Sequence, residues 1–272
     1  MLALVLSVGL LGTSPDPETS ATPALYELRH DVKVDGAITG ALWASWLATE
    51  AVFKHSLSPP VCRWCEANAL DTWARGIRTG PEWLLTMDMA SNVVGFGLLP
   101  VSLLGLDLYF ASSHGSTPTA AIDALLILQA TGAALVFNQV VKFSVGRERP
   151  FVSALSPEEK AAVRDPADNN LSFFSGHSTF AFAVTVAAGR VAQLRGYRRA
   201  WLVWAVGLPL AVSVPLLRMA SDRHYLTDVL VGSAVGATFG YALPTLFHHR
   251  TGALSQLTVA PAPNGVCVSG VF

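Results

Sequence analysis

Charge is scarce in this chain. Asp, Glu, Lys and Arg make up only 14% of its 272 residues and hydrophobic residues 51%, where a soluble domain carries roughly 25% charged residues. The net charge of −1 leaves no basic field for nucleic acid. Three cysteines are too few for a disulfide framework. Cys62 and Cys65 form a Cys-x-x-Cys, but no second pair or suitably spaced histidine completes a zinc site. The pair reads as a local disulfide outside the cytoplasm or as two plain buried thiols; the disulfide is the expectation, and no catalysis is assigned to it.

The chain is rich instead in uncharged runs. Residues 89–106, 124–141 and 200–217 are runs of 18, and 229–247 is a run of 19. Residues 175–189 are uncharged and continue apolar past Arg190, and a weaker run, 36–53, is interrupted by Glu50. A helix rising 1.5 Å per residue needs about 20 residues to cross the hydrocarbon core of a bilayer. The expectation is an all-α polytopic bundle in one domain (36–249), with about six transmembrane helices. An N-terminal segment (1–35) precedes it, a short tail (250–272) follows, and 54–87 is an extramembrane or interfacial loop. Pro261 and Pro263 are expected to limit regular structure in the tail.

Orientation follows from loop charge. The link between the fourth and fifth spans carries Arg190, Arg195, Arg198 and Arg199 with no acidic residue, which places it in the cytoplasm. Residues 1–12 resemble a signal-peptide core without a positive n-region and are too short to span. Six spans put an uncleaved N-terminus in the cytoplasm, and five require a signal peptide. Both keep the ends of spans three and five, and the starts of four and six, on the outer side; a cleaved signal with six spans would invert this.

Those outer ends carry three clusters. Lys142 closes the third span and Arg149-Pro150 follows seven residues on. Arginine offers a planar fork to two phosphate oxygens, and lysine a compact charge. Ser175-Gly176-His177 opens the fourth span, where a helix start presents unpaired amides to an anion and glycine permits close approach. Arg218 ends the fifth span; His224 and Asp228, four apart, begin the sixth. A carboxylate so placed holds one imidazole nitrogen as N–H and leaves the other as a nucleophile. Singly, these are a snorkelling lysine, a capped helix and a helix-end ion pair. Jointly they lie on one membrane face, which independent snorkelling would not produce.

Lys142-x6-Arg149-Pro150, Ser175-Gly176-His177 and Arg218-x5-His224-x3-Asp228 resemble the three-part signature of the type 2 phosphatidic acid phosphatase superfamily, which also includes vanadium haloperoxidases and glucose-6-phosphatase-like enzymes. The likeness covers about residues 89–247. Phe174 stands where the family usually has proline, and Leu217 where it usually has serine.

The resemblance implies a membrane phosphatase for lipid phosphate monoesters or diphosphates. His224 would form a phosphohistidine, Asp228 would orient it, and His177 would protonate the leaving alkoxide and then activate water. Lys142, Arg149 and Arg218, with Ser175 and the Gly176 amide, would stabilise the phosphate oxygens. No metal or cofactor is implied. The partners are a lipid phosphate and the bilayer, with no nucleic acid and no obligate protein partner. The implied location is a bacterial inner membrane with the site facing the periplasm or exterior. A vanadate-dependent haloperoxidase is disfavoured by the apolar spans, and a non-catalytic lipid-phosphate binder or transporter by the two histidines. Trp64, Trp73 and Trp83 in the loop read as interfacial anchors or as shapers of selectivity.

Overall fold

The structure, a computed structural model, describes residues 25–251 and the backbone of 258–262 and 265–269. The signal-like stretch 1–12 and the Ser/Thr/Pro-rich segment 13–24 lie outside the described residues. Helix α1 (Val32–Leu47) starts on Asp31, whose carboxylate accepts from the Lys33 and Val34 amides, and continues through a π-helical turn, Ala48–Val52. Short helices α2 (Lys54–Leu57) and α3 (Ala69–Ala74) follow. A long helical segment then runs from Pro81 to Ser113, made of α4 (Leu84–Asn92), a π-helical stretch (Val93–Leu98) and α5 (Leu99–Ser113). Helix α6 (Thr117–Val145) stops at Gly146, whose φ of 61° is the left-handed conformation that glycine adopts without a Cβ penalty. After the short α7 (Pro157–Ala162), α8 (Gly176–Arg195) is capped by Ser175, and α9 (Trp201–Ala220) and α10 (Leu226–Phe247) complete the bundle.

Six long helical segments stand where the apolar runs predict them. Four of these, Pro81–Ser113, α6, α9 and α10, are long and apolar enough to cross a membrane by length and composition. Their outer faces expose large apolar side chains such as Leu85, Val101, Val140 and Leu246, as expected where the surrounding solvent is hydrocarbon. The predicted loop 54–87 is shorter than expected, because its last residues from Pro81 already belong to the second helical segment. The tail also differs. Strands β1 (Thr258–Ala262) and β2 (Gly265–Ser269) pair as an antiparallel hairpin. Both strands are edges, so Pro261 leaves no partner on its other side without a donor.

Helix α8 is the axis of the bundle. Small residues, including Ala181, Ala183, Ala187 and Ala188, are buried along it, with α5, α6, α9 and α10 around it. Its closest neighbour is α10, through Gly232, Gly236 and Gly240, one per helical turn. A Cβ on these would lie 2.6 Å from the Ser175 carbonyl oxygen, 2.3 Å from that of Thr179 and 2.6 Å from that of Ala183. Small residues at this spacing let helix backbones meet, which is how helices associate where lipid offers no hydrophobic drive. The seam fixes the start of α8 against the start of α10.

At the opposite end, Arg195 Nε donates to Asp123 Oδ1 at 2.7 Å and the Tyr197 hydroxyl to Asp123 Oδ2 at 2.8 Å. Arg195 is buried. It therefore serves as an internal ion pair rather than as free loop charge, and Arg190 lies within α8 with its Nε donating to Thr245 Oγ1 at 2.8 Å, which leaves Arg198 and Arg199 in that link. We predict that Gly236→Val forces the α8–α10 seam apart and costs at least about 1–3 kcal/mol. The measure is the thermal midpoint of the detergent-solubilised protein, and an unchanged midpoint would refute the tight seam.

Candidate active site

The ends of α6 and α9 and the starts of α8 and α10 meet at one end of the bundle, and all three clusters converge there. Lys142, one turn from the end of α6, is buried and reaches the first turn of α8, where a Cβ on Gly176 would lie 3.5 Å from its Nζ and 3.0 Å from Asn138 Oδ1. Ser175 is the N-cap as predicted, with its Oγ accepting from the Ser178 amide at 3.4 Å and the Ser178 hydroxyl at 3.1 Å. Its hydroxyl is fully buried in that cap. Phe174, in the place of the family's proline, is buried, and its carbonyl accepts from Asn138 Nδ2 at 2.7 Å.

Arg149 presents Nη1 to His224 Nε2 at 3.5 Å and Nη2 to Asp168 Oδ1 at 2.9 Å, while its Nε donates to the Asp168 carbonyl at 3.0 Å. Asp168 also takes Lys54 Nζ at 3.1 Å. Burial would raise the Asp168 carboxyl, but Arg149, Lys54 and Lys142 outweigh it and hold the group well below the usual carboxylate range. Arg218 pairs through Nη1 with Asp88 and with Ser91 Oγ at 3.1 Å, and its buried Nε has no hydrogen-bond partner among the described residues. Asp88 also accepts from Arg223 at 2.7 Å.

His224 Nδ1 meets the Ser172 carbonyl at 2.9 Å. A carbonyl only accepts, so Nδ1 carries the hydrogen and Nε2 keeps its lone pair. Burial, and then the charges of Arg149, Arg218 and Lys142, push the imidazole well below its ordinary value. The ring is therefore neutral at pH 7 and its free nitrogen faces Arg149. One expectation needs correction. Asp228 was expected to hold the imidazole directly, yet its Oδ2 lies 3.7 Å from Nδ1. The carboxylate is committed elsewhere: Oδ1 to Arg147 Nη1 at 2.6 Å, and Oδ2 to the Ser172 hydroxyl at 2.6 Å and the Tyr225 amide at 2.9 Å. Asp228 positions Ser172, and Ser172 positions His224.

Arg147 is the residue that sequence reasoning missed most. It is fully buried between the rings of Trp64 and Tyr225, 3.9 and 4.3 Å from their centroids, and also donates to Asp71. Asp71 in turn accepts from the Thr227 amide at 2.8 Å. Trp64 is thereby part of this packing, whereas Trp73 and Trp83 are exposed. Arg147, Glu148 and Arg149 are consecutive charges, and adjacency alone does not tell which of them turns inward. Asp88 and Asn92 had a signal: they are four apart on α4, facing the site together.

A cavity of about 470 Å³ opens from His177 and Arg218. Asp88 and Asn92 line its polar side, and Leu84, Leu85, Phe151 and Val163 its apolar side. His177 Nε2 is 2.7 Å from Asn92 Oδ1. Among the described residues, no three His, Cys, Asp or Glu side chains are grouped to hold a metal ion. Cys62 and Cys65 are joined by a disulfide, in a segment bonded to the site through the Trp64 carbonyl and the Glu148 amide at 3.0 Å.

Because the folded His224 ring titrates below an unfolded histidine (about 6.5), its contribution to stability is complete above that value and is lost as pH falls below it. We expect the thermal midpoint to drop from pH 7 toward pH 5, and inorganic phosphate to reduce the drop by pairing with the new charge. An identical slope in His224→Gln would refute the assignment.

Residues 123–251 match the family model described as PAP2 superfamily. The lipid A 4'-phosphatase of Rhizobium leguminosarum is 32% identical over 135 residues, 44% of this chain and 53% of that protein. The chain thus spans about half the length of that curated relative. A transmembrane PAP2 type phosphatidylglycerolphosphate phosphatase from Bacillus subtilis superposes with a TM-score of 0.47 at 20% identity, covering 76% of this chain and 94% of that one. Lys142, Arg149, His177, Arg218 and His224 all fall within the matched segment.

Proposed function

We propose that this protein is a membrane phosphatase that hydrolyses lipid phosphate monoesters or diphosphates through a phosphohistidine on His224, without a metal. The observation that carries this is the placement of the His224 imidazole, Nδ1 tied to the Ser172 carbonyl at 2.9 Å and Nε2 facing the Arg149 guanidinium at 3.5 Å. Nε2 attacks phosphorus and the bond from phosphorus to the lipid oxygen breaks, while protonated His177 gives that oxygen its proton. Neutral His177 then takes a proton from water as the water oxygen displaces His224, which releases inorganic phosphate. Lys142, Arg149 and Arg218 meet the charge on the equatorial oxygens, the part that Mg²⁺ plays in other phosphoryl transfers.

Two observations support a site facing the periplasm or exterior of a bacterial inner membrane. Arg198 and Arg199 lie in the link at the far end of the bundle, α8 to α9, where positive charge favours the cytoplasm. The Cys62–Cys65 disulfide lies at the site end, and disulfides persist in oxidising compartments. The apolar wall of Leu84, Leu85, Phe151 and Val163 suits lipid chains entering from the bilayer. The Rhizobium relative makes lipid A a first candidate among the lipid phosphates to assay.

His224→Ala is expected to abolish phosphate release and the phosphohistidine trapped by denaturing quench, while the protein stays folded in the membrane. EDTA is expected to leave turnover intact and orthovanadate to inhibit it. Trapped phosphoenzyme in His224→Ala, or loss of activity on chelation, would overturn the mechanism.

A further inference from the structure

Helix α4 lies upstream of the matched segment 123–251, yet one of its faces forms a wall of the cavity. Leu84, Asp88 and Asn92 line it at successive turns. Asp88 engages Arg218 and Arg223, and Asn92 engages His177. One turn further on, the Phe96 ring meets the His177 ring edge-on at 4.8 Å. The proton-carrying histidine is therefore held by the second helical segment, by a hydrogen bond at Nε2 and an aromatic contact on the ring. Both Asn92 and His177 border the cavity, the space a leaving group would enter.

We propose that Asn92 is the positioning residue for His177, serving both of its protonation states in the hydrolysis proposed above. A primary amide is suited to this because it carries an acceptor and a donor on one rotatable group. His177 Nε2 lies 2.7 Å from Asn92 Oδ1, and when the ring is protonated its Nε2–H donates to that oxygen. The arriving lipid oxygen displaces the amide and takes that proton as its bond to phosphorus breaks, and Nε2 is left with a lone pair. Rotation of the amide then lets Asn92 Nδ2 donate to that lone pair and hold the ring in place until water displaces it. Once water has given its proton to Nε2, the amide oxygen returns to the new N–H. An aspartate at this position would accept only, and would favour the protonated ring over the neutral one. The charged groups acting on His177 are Arg218, Lys142 and Arg149, with the His224 ring among them; no carboxylate makes a hydrogen bond to it.

The test compares Asn92→Leu and Asn92→Asp with the native protein, reconstituted in bilayers, on an alkyl lipid phosphate and an activated aryl phosphate. General acid–base catalysis is worth roughly 10²–10⁴-fold. Asn92→Leu is expected to lower kcat on the alkyl substrate by about 10-fold or more, with the aryl substrate's phosphoenzyme burst nearly unchanged because its leaving group needs no proton. Asn92→Asp is expected to move the basic limb of the kcat–pH profile upward by about one unit, since an added carboxylate favours the imidazolium. Equal losses on both substrates in Asn92→Leu, or an unmoved basic limb in Asn92→Asp, would overturn the role of Asn92. Failure of the underlying reading looks different: native protein that forms no phosphoenzyme on either substrate refutes the hydrolase itself.

Discussion

The Arg147 guanidinium, fully buried and flanked by Trp64 and Tyr225, holds the site end of this molecule together. It carries one positive charge between two buried carboxylates, Asp71 and Asp228. Removing one partner of such a cluster leaves an uncompensated charge, which typically costs about 3–5 kcal/mol. Arginine is required because its flat fork serves two carboxylates in one plane while its faces stack on rings. Through Asp228 the cluster fixes Ser172, through Ser172 the imidazole of His224, and through Asp71 the start of α10. Trp64 also brings the disulfide-bearing segment over the site.

The glycine seam is the second constraint, and it acts on the same atoms. Gly232 lets α10 lie against the Ser175 carbonyl, and the Ser175 amide donates to the Asp228 carbonyl at 3.0 Å. The start of α8 is thereby locked to the start of α10, beside the His224 imidazole. Two residues separated by half a hundred positions in sequence keep a fixed relation because backbone meets backbone, with no flexible side chain between. Such rigidity is what electrostatic preorganisation needs.

The helices were legible because lipid imposes a simple rule: long uncharged runs read as spans, and the six long segments appear where the runs predict them. The three clusters were legible because charges are rare here and these fell at one end. What stayed hidden was the division of labour among neighbours. His224 and Asp228 share the helix-start spacing that suggests a direct pair, but Arg147 claims the carboxylate and a backbone carbonyl takes its place. Backbone acceptors leave no trace in residue identity. Asp168 was equally silent, since one acidic residue in a polar loop carries no sign that it will clasp Arg149. The hairpin at the tail was missed because prolines argue against strands in general, and only the two-stranded pairing makes Pro261 harmless.

Arg149 and Arg218 both hold resident carboxylates, Asp168 and Asp88. A visiting anion must compete for guanidinium groups that are already engaged, so weakly charged ligands gain little by entering while a dianion gains more. The same pairing eases departure: as an anion leaves, each arginine turns back to its own acid and no bare cation is exposed in an apolar setting. The cluster is thereby predisposed to exchange its anions quickly.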